Sequence, residues 1–222
     1  MFTPILAISA SLNDSQRIHA LKVGANDFIN KPFIEAELAA RIKNMLLTQQ
    51  LYQQIAMQKE ALEKMAMTDQ LTGLYNRHFL MPYVEKALSS AQRYNYPLSI
   101  VMIDLDKFKL INDDLGHDAG DKLLCGIAHI LENNCRSEDA AIRLGGDEFL
   151  VVLPHCSLEQ AKFKTETLRQ AITELPPASH KTSASFGLSS TEEGNFIFEQ
   201  LFSMADSAAY QAKMNGGNDI CH

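Results

Sequence analysis

The segment RLGGDEFLVVLP, residues 143–154, constrains the fold of this chain more than any other stretch. Two glycines and two acids stand between AAIRL, which is apolar except for Arg143, and the apolar run FLVVLP. Gly145 and Gly146 can adopt the positive φ angles that a tight hairpin turn requires. The segment therefore predicts a β-hairpin whose tip carries two acids, Asp147 and Glu148.

The segments around the hairpin alternate between helical and strand patterns. Helices are expected at about 78–95, 119–134, 157–174 and 196–215, and strands at 98–103 and 182–189. The residues from Ile111 to the start of the second of these helices are expected to form a loop. The resulting order is helix, strand, helix, hairpin, helix, strand, helix. This order predicts an α/β (α+β) fold with a ferredoxin-like βαββαβ core and added helices.

The first 67 residues have a different pattern. PILAISA (4–10) and NDFINKPF (26–33) indicate short strands around a helix capped by Asn13 or Asp14 and ended by Gly24, which is typical of a parallel α/β sheet. Residues 35–67 contain no Gly or Pro and predict one long helix. Its apolar spacing suits a two-chain coiled coil, but Gln49 and Lys59 interrupt the seam, so both a plain helix and a coiled coil stay open.

Composition excludes some classes of function. The net charge of −7 argues against a general nucleic-acid binder, which is usually basic. No apolar run approaches the roughly 18 residues of a membrane helix, and no signal peptide is recognised, so we expect a cytoplasmic protein with no membrane partner. The four cysteines form no C-x-x-C pair, which favours reduced thiols over a zinc site or a disulfide framework.

Four acids are expected to meet at one edge of the sheet. Asp104 and Asp106 follow the first central strand, which can lie next to the hairpin in a βαββαβ sheet, and Asp147 and Glu148 lie at the hairpin tip. Such a cluster is costly without a cation, and Mg²⁺ binds through one or two carboxylates plus substrate phosphates. The alternative is a solvated acidic turn, which the second acidic segment at 103–121 disfavours.

From about Thr68 to its end, the chain resembles the GGDEF-domain diguanylate cyclases. The matching motifs are DQLTGLYNR (69–77), IDLDKFKLINDDLGHDAGD (103–121), RSED (136–139), RLGGDEF (143–149), SASFGL (183–188) and ADSAAYQAKMNGGN (205–218). The resemblance implies a core of nucleotidyl-cyclase/palm type over residues 68–222. It also implies that a homodimer condenses two GTP into cyclic di-GMP and releases two pyrophosphates.

The same resemblance assigns roles to residues of the site. Mg²⁺, with Mn²⁺ as the alternative, would be held by Asp104, Asp147 and the backbone carbonyl of Leu105. Asp147 or Glu148 would help to remove the 3′-hydroxyl proton, and Lys109 would offset charge that develops in the transition state. The residues implied for substrate binding are Phe108, Lys109, Asn112, His117, Asp121, Gly145, Gly146 and Lys213. Among these, Asn112 and Asp121 would read the guanine edge.

Two positions depart from the family's usual pattern. Gly217 stands where members often carry Arg, which removes one charge-assisted bond to phosphate. His78 stands where Arg is more usual and is interpreted as a tolerated change.

The RSED segment matches the family's R-x-x-D inhibitory product site. Arg136 offers a planar fork to a guanine Hoogsteen edge or a phosphate, and Asp139 can accept from guanine N1–H. The alternative is a surface salt bridge between these residues at i, i+3, which contributes little. The fixed distance to the Gly-Gly turn favours product inhibition by cyclic di-GMP.

Residues 1–47 resemble the C-terminal part of a response-regulator receiver domain, a partial flavodoxin-like fold. Ser9 and the Lys31–Pro32 pair, whose bond is expected to be cis, carry this resemblance. The phosphoacceptor Asp and the acidic pair of such domains have no match here, so no phospho-switch is expected. Residues 48–67 would then be a helical linker that helps to bring two cyclase domains together.

Two further functions compete with the cyclase. A non-catalytic cyclic di-GMP receptor would use Arg136 and Asp139 only, but such receptors usually have a degenerate Gly-Gly-acid turn. A dimerising adaptor built on the receiver fragment would leave the acid cluster unexplained.

Overall fold

The computed structural model describes residues 3–10, 14–175 and 182–222, which separate into two compact units, 1–64 and 65–222. The first unit contains β1 (Leu6–Ser9), α1 (Asp14–Lys22), β2 (Asp27–Asn30) and most of α2 (Glu35–Met67). β1 and β2 pair in parallel, as the sequence predicts. Of the two candidate caps of α1, Asn13 lies outside the described residues.

The boundaries of α1 and α2 agree with local sequence signals. Gly24, with φ of +112°, follows α1, and the Lys31–Pro32 bond is cis as expected. Arg41 ties α2 to β2 through an ion pair of 2.7 Å with Asp27, and it also pairs with Glu37 one turn earlier. The large apolar side chains of α2 that are exposed include Ile42, Leu46, Leu51, Ile55 and Leu62.

The second unit is built on a six-stranded sheet. Its strands, in spatial order, are β3 (Tyr75–Asn76), β5 (Ala140–Gly145), β6 (Glu148–Pro154), β4 (Leu98–Leu105), β7 (Ala184–Ser190) and β8 (Ile220–Cys221). β4 is central and runs antiparallel to both β6 and β7. The four strands β4 to β7 therefore have the predicted βαββαβ connection, with an added short strand at each edge.

In the described part of this unit, five α-helices accompany the sheet, and four of them cover its two faces. They are α3 (Arg77–Tyr94), α4 (Phe108–Leu115), α5 (His117–Asn134), α6 (Leu158–Thr173) and α7 (Phe198–Met214). Because side chains alternate along a strand, Val101 and Ile103 of β4 pack in the cluster with α5 and α6. Ile100 and Met102 pack in the cluster with α3 and α7. The hairpin is thus held between two buried layers. Within the described residues, none of the helices has the length and apolar character that crossing a membrane would need.

The helix α4 is where the structure differs from the predicted loop. Phe108, Ile111 and Leu115 recur at helical spacing, and Ile111 is buried in the core. The helix is short because Lys107 has a φ of +56° before it and Gly116 a φ of +84° after it. Acidic residues dilute the apolar pattern of this segment, which is why the pattern alone predicted a loop.

Candidate active site

The turn of the hairpin is fixed by an arginine and by a motif that begins the second unit. Gly145 and Gly146 have φ angles of +147° and +55°, as the hairpin turn requires. The Arg143 guanidinium donates to the Gly146 carbonyl at 2.8 Å and to Asp69 at 3.0 Å. Burial opposes ionisation of Asp69, but hydrogen bonds from Thr72 and Arg143 lower its pKa overall. The DQLTGLYNR motif therefore supports the turn from outside the hairpin, a role that the sequence did not reveal.

Three acids gather at the tip of the hairpin. Asp104 on β4 lies directly opposite Glu148 on β6, and the Leu105 amide donates to the Asp147 carbonyl at 3.4 Å. Burial, together with the charge of Asp104, raises the pKa of Asp147. Burial also raises the pKa of Glu148, with Asp104, Asp147 and Asp206 adding to the shift. Like charges thus accumulate at this edge of the sheet. Asp206, on α7, is an acid that the sequence analysis did not single out.

Asp106 does not present its carboxylate as the fourth acid of this cluster. It is buried, and its Oδ1 accepts from Ser185 Oγ at 2.7 Å. Its Oδ2 accepts from Ser183 Oγ at 2.7 Å and from the backbone amide of Asn218 at 2.8 Å. Of the four acids that the sequence predicts to converge, Asp106 is therefore the one that does not. Asp106 instead joins the end of β4 to β7 and to the turn after α7.

Gly217 belongs to the turn that Asp106 holds. It has a φ of +77°, and a Cβ built there would lie 2.7 Å from the Asp106 carboxylate. An arginine at this position would therefore need a different backbone conformation. The departure from the family's usual Arg has a structural correlate, because this turn is closed around a buried acid.

Lys213 contacts one of the acids directly. Its Nζ lies 2.7 Å from Asp104 Oδ1, and it comes from the last turn of α7. Burial would lower the pKa of Lys213, but the hydrogen bond to Asp104 and the negative charges of Asp104, Asp147 and Asp106 together raise it. The lysine implied as a phosphate contact is thus the ion-pair partner of Asp104 in this structure.

The residues implied for guanine binding lie on α4 and α5. A Cβ added to Gly120 would lie 2.0 Å from Asn112 Oδ1 and 3.1 Å from Phe108 Cζ, so a glycine on α5 lets α4 approach closely. This approach brings Asn112 and Phe108 to the N-terminal turns of α5, which carry His117 and Asp121, both exposed. Gly120 is a residue that the sequence analysis missed, and a glycine inside a predicted helix was the available signal.

The oxygen donors at the hairpin fit a divalent cation in part. Hard cations prefer carboxylate and carbonyl oxygens, and Asp104, Asp147 and the Leu105 carbonyl supply these. Over the described ranges, however, no three acidic, histidine or cysteine side chains are grouped so that they could hold an ion. A magnesium-like ion at this edge would need further ligands, such as substrate phosphate oxygens.

The R-x-x-D segment forms a compact turn before β5. Asp139 accepts from the Arg136 amide at 2.9 Å and pairs with Lys164 Nζ at 2.6 Å, and its side chain is almost fully buried. Arg136 itself is exposed beside a cavity of about 500 Å³, which Phe163 and Lys164 of α6 also line. Among the ion pairs found in the described chain, the partner of Asp139 is Lys164 and not the Arg136 guanidinium. Cys156 also lines the cavity, and all four cysteines are free.

A mixed α/β domain with a ferredoxin-like core and an acidic Gly-Gly hairpin is the class that this fold and site define. Within that class the assignment is specific, because the model of the family described as "Diguanylate cyclase, GGDEF domain" matches residues 66–219. The chain belongs to this family.

Relatives extend the similarity beyond the cyclase domain. Response regulator PleD of Caulobacter vibrioides is 33% identical over 223 residues, covering 98% of this chain and 49% of that protein. The chain spans about half the length of the curated relatives it matches first.

Solved structures show the same fold. The diguanylate cyclase SiaD of Pseudomonas aeruginosa, crystallised with its activator SiaC, is 30% identical with a TM-score of 0.67, covering 83% of this chain and 73% of that one. The active GGEEF domain of a Vibrio cholerae diguanylate cyclase is 36% identical with a TM-score of 0.64, covering 67% of this chain and 96% of that one.

Proposed function

We propose that this chain is a diguanylate cyclase that condenses two GTP into cyclic di-GMP and two pyrophosphates. The observation that carries the proposal is the meeting of Asp104, Asp147 and Glu148 at the tip of the Gly-Gly hairpin. In the relative from Vibrio cholerae, whose GGEEF domain is described as active, Glu stands in place of Asp as the first of the two acids in this motif.

The residues divide the work of this reaction. Asp104, Asp147 and the Leu105 carbonyl would hold Mg²⁺, or Mn²⁺, which when bound neutralises charge on the phosphates. Glu148, with its raised pKa, is suited to take the 3′-hydroxyl proton, and Asp147 supports it by its charge. Lys109 and Lys213 would bind phosphate oxygens.

The base is selected on the other side of the site. Asn112 and Asp121 would pair with the guanine edge, because a carboxylate accepts from the N1–H and N2–H₂ groups that adenine lacks. Phe108 and His117 would border the nucleotide, and the bare backbone of Gly145 and Gly146 would let it approach. Cβ atoms at both glycines would meet no atom within 4 Å, so the space above this turn is open.

The product requires two domains. Cyclic di-GMP contains two phosphodiester bonds between two nucleotides, so two domains that each carry one GTP must face one another. The exposed apolar side chains of α2 support pairing through this helix. Residues 1–47 are proposed to be the receiver fragment. The alignment with PleD over 98% of the chain supports this proposal, since it extends through these residues.

Product analysis tests the proposed activity. The purified chain, stripped of bound nucleotide, should convert GTP with Mg²⁺ to cyclic di-GMP with two pyrophosphates per product, whereas ATP should give neither. Mass spectrometry and a coupled pyrophosphate assay measure both products. Binding of cyclic di-GMP without any turnover would instead indicate a receptor.

Product inhibition is proposed to act at the cavity beside Arg136. Its exposed guanidinium can bind a phosphate or a guanine Hoogsteen edge, and Lys164, which is paired with Asp139, lines the same cavity. Asp139 already holds the Arg136 amide and Lys164, so its first effect is to shape the turn that presents Arg136.

Replacing Tyr83 by phenylalanine should weaken product inhibition without changing the uninhibited rate. The Tyr83 hydroxyl donates to the Glu138 carbonyl within the Arg136–Asp139 turn. Burial raises the pKa of Tyr83 to about 12, which keeps this donor protonated. Loss of one such bond, about 1 kcal/mol, corresponds to a roughly fivefold higher half-inhibitory concentration of cyclic di-GMP.

Initial rates at increasing cyclic di-GMP measure this effect. Tyr94→Phe, which alters an exposed tyrosine of the same helix, is the matched control and should behave as the wild type. Arg136→Ala should abolish inhibition. If cyclic di-GMP still inhibits Arg136→Ala fully, the inhibitory site lies elsewhere. If it inhibits Tyr83→Phe as strongly as the wild type, the Tyr83 hydroxyl has no role in shaping the turn.

A further inference from the structure

Lys213 occupies the position of a counterion at the candidate metal site. We propose that Lys213 blocks the site against a divalent ion while no nucleotide is bound, so that metal and triphosphate enter together. The inference rests on the proposed diguanylate cyclase function. That function would also be possible if the metal ion bound before the nucleotide, so joint binding is an additional claim.

The geometry places the ammonium group on a ligand that the metal needs. Lys213 Nζ is 2.7 Å from Asp104 Oδ1, within hydrogen-bonding distance of a carboxylate. A cation bound by Asp104 would therefore meet a positive charge at close range, and like charges at such distances repel strongly when partly buried. The side chains of Lys213 and Asp104 are 41% and 27% exposed, so solvent reduces this repulsion without removing it.

The backbone that carries Lys213 is held at the end of the sheet. Asp106 accepts from the Asn218 amide at 2.8 Å, which ties the turn after α7 to the end of β4. Asp106 follows β4 directly and lies two residues after Asp104, so the end of this strand also anchors the turn after the helix that carries Lys213. The fold thus holds the end of α7 beside Asp104.

A triphosphate offers the lysine an alternative partner. Its oxygens carry several negative charges, and a lysine that bonds to them releases Asp104 for the metal. The same phosphates supply the ligands that the described acids do not provide by themselves. A metal–nucleotide complex therefore both draws Lys213 away from Asp104 and supplies the missing metal ligands, whereas the free ion does neither.

This arrangement predicts effects of opposite sign when the lysine is removed. Lys213→Met should bind Mn²⁺ alone about three- to tenfold more tightly, because a repelling charge is gone and Asp104 is free. The same variant should bind GTP more weakly than the wild type does. This is measured with a non-hydrolysable analogue that has a methylene group between the α- and β-phosphorus. Lys213→Arg keeps the charge and should stay near the wild type for Mn²⁺.

Lys109→Met is the matched control, because it removes the other lysine assigned to phosphate. Lys109 is exposed on α4, and the carboxylate ion pairs found in the described chain do not include it. This variant should also weaken binding of the analogue but leave the affinity for Mn²⁺ unchanged. A simple loss of positive charge anywhere near the site would instead affect both variants equally.

The full-length chain, stripped of nucleotide, is titrated with Mn²⁺, and free Mn²⁺ is followed by electron paramagnetic resonance. Tighter Mn²⁺ binding by Lys213→Met alone supports the proposal. Equal or weaker Mn²⁺ binding by Lys213→Met, while Asp104→Asn loses it, overturns the blocking role but keeps the metal site. Equal Mn²⁺ binding by the wild type and Asp104→Asn overturns the proposed metal site and this inference with it.

Discussion

Replacing Asp147 by asparagine is expected to lower the rate of cyclic di-GMP formation about 1,000-fold while the chain stays folded. The residue lies half-buried at the hairpin tip, where its charge is opposed by burial and by Asp104. A site that maintains such an unfavourable charge is typical of catalysis, and loss of one group that stabilises the reacting phosphate costs about two to three orders of magnitude. Asparagine keeps the shape of the side chain and removes only the charge and one oxygen.

Rates under saturating GTP and Mg²⁺ measure this loss, and thermal unfolding confirms that the variant is folded. Asp113→Asn is the control, since Asp113 is an exposed acid on α4 with no assigned role, and its rate should stay within twofold of the wild type. A rate for Asp147→Asn above about a tenth of the wild-type value would remove Asp147 from the catalytic centre.

The second large effect concerns stability. Asp106→Ala should lower the free energy of unfolding of the second unit by about 3 kcal/mol, because two serine hydroxyls and the Asn218 amide lose their acceptor. The free energy of unfolding of Asp106→Asn should lie between those of the wild type and Asp106→Ala. The amide keeps one acceptor oxygen, but its NH₂ group faces hydroxyl and amide groups that also donate.

Urea unfolding followed by tyrosine fluorescence suits this measurement, because five of the six tyrosines lie in the second unit. Asp113→Ala, on the neighbouring helix α4, controls for the loss of an exposed negative charge. A loss below about 1 kcal/mol for Asp106→Ala would contradict a structural role. In that case the carboxylate would belong with the acids at the hairpin tip, as the sequence analysis expected.

The hairpin and the order of elements follow from local signals. A glycine pair beside continuous apolar residues specifies a turn between buried strands, and Gly or Pro marks most boundaries of the helices. The spacing of the apolar residues then indicates which face of each helix and strand is buried. For these reasons, the central βαββαβ arrangement was predictable before any coordinates.

The role of Asp106 was not predictable in this way. In a continued strand, Asp104 and Asp106 would point to the same face. The strand ends at Leu105, however, and Lys107 adopts a φ of +56°, so the Asp106 carboxylate turns toward β7. Its partners lie 77 and 79 residues away among the serines and 112 residues away at Asn218. No local pattern encodes such contacts.

The ion pairs of Lys213 and Lys164 were equally hidden. Lys213 is 109 residues from Asp104, and Lys164 is 25 residues from Asp139. Family resemblance suggested ligands for Lys213 and Asp139, but only the fold shows which protein groups they bind when those ligands are absent. The inferred joint binding of metal and nucleotide rests on the contact between Lys213 and Asp104.

A crystal structure that locates the metal and the base together would test the proposed cyclase site. Crystals of the chain with Mn²⁺ and the methylene analogue of GTP would be measured at the manganese absorption edge. We expect an anomalous peak about 2.1 Å from oxygens of Asp104 and Asp147, with guanine against Asn112 and Asp121. Nucleotide bound only beside Arg136, with no metal at the hairpin acids, would contradict this expectation.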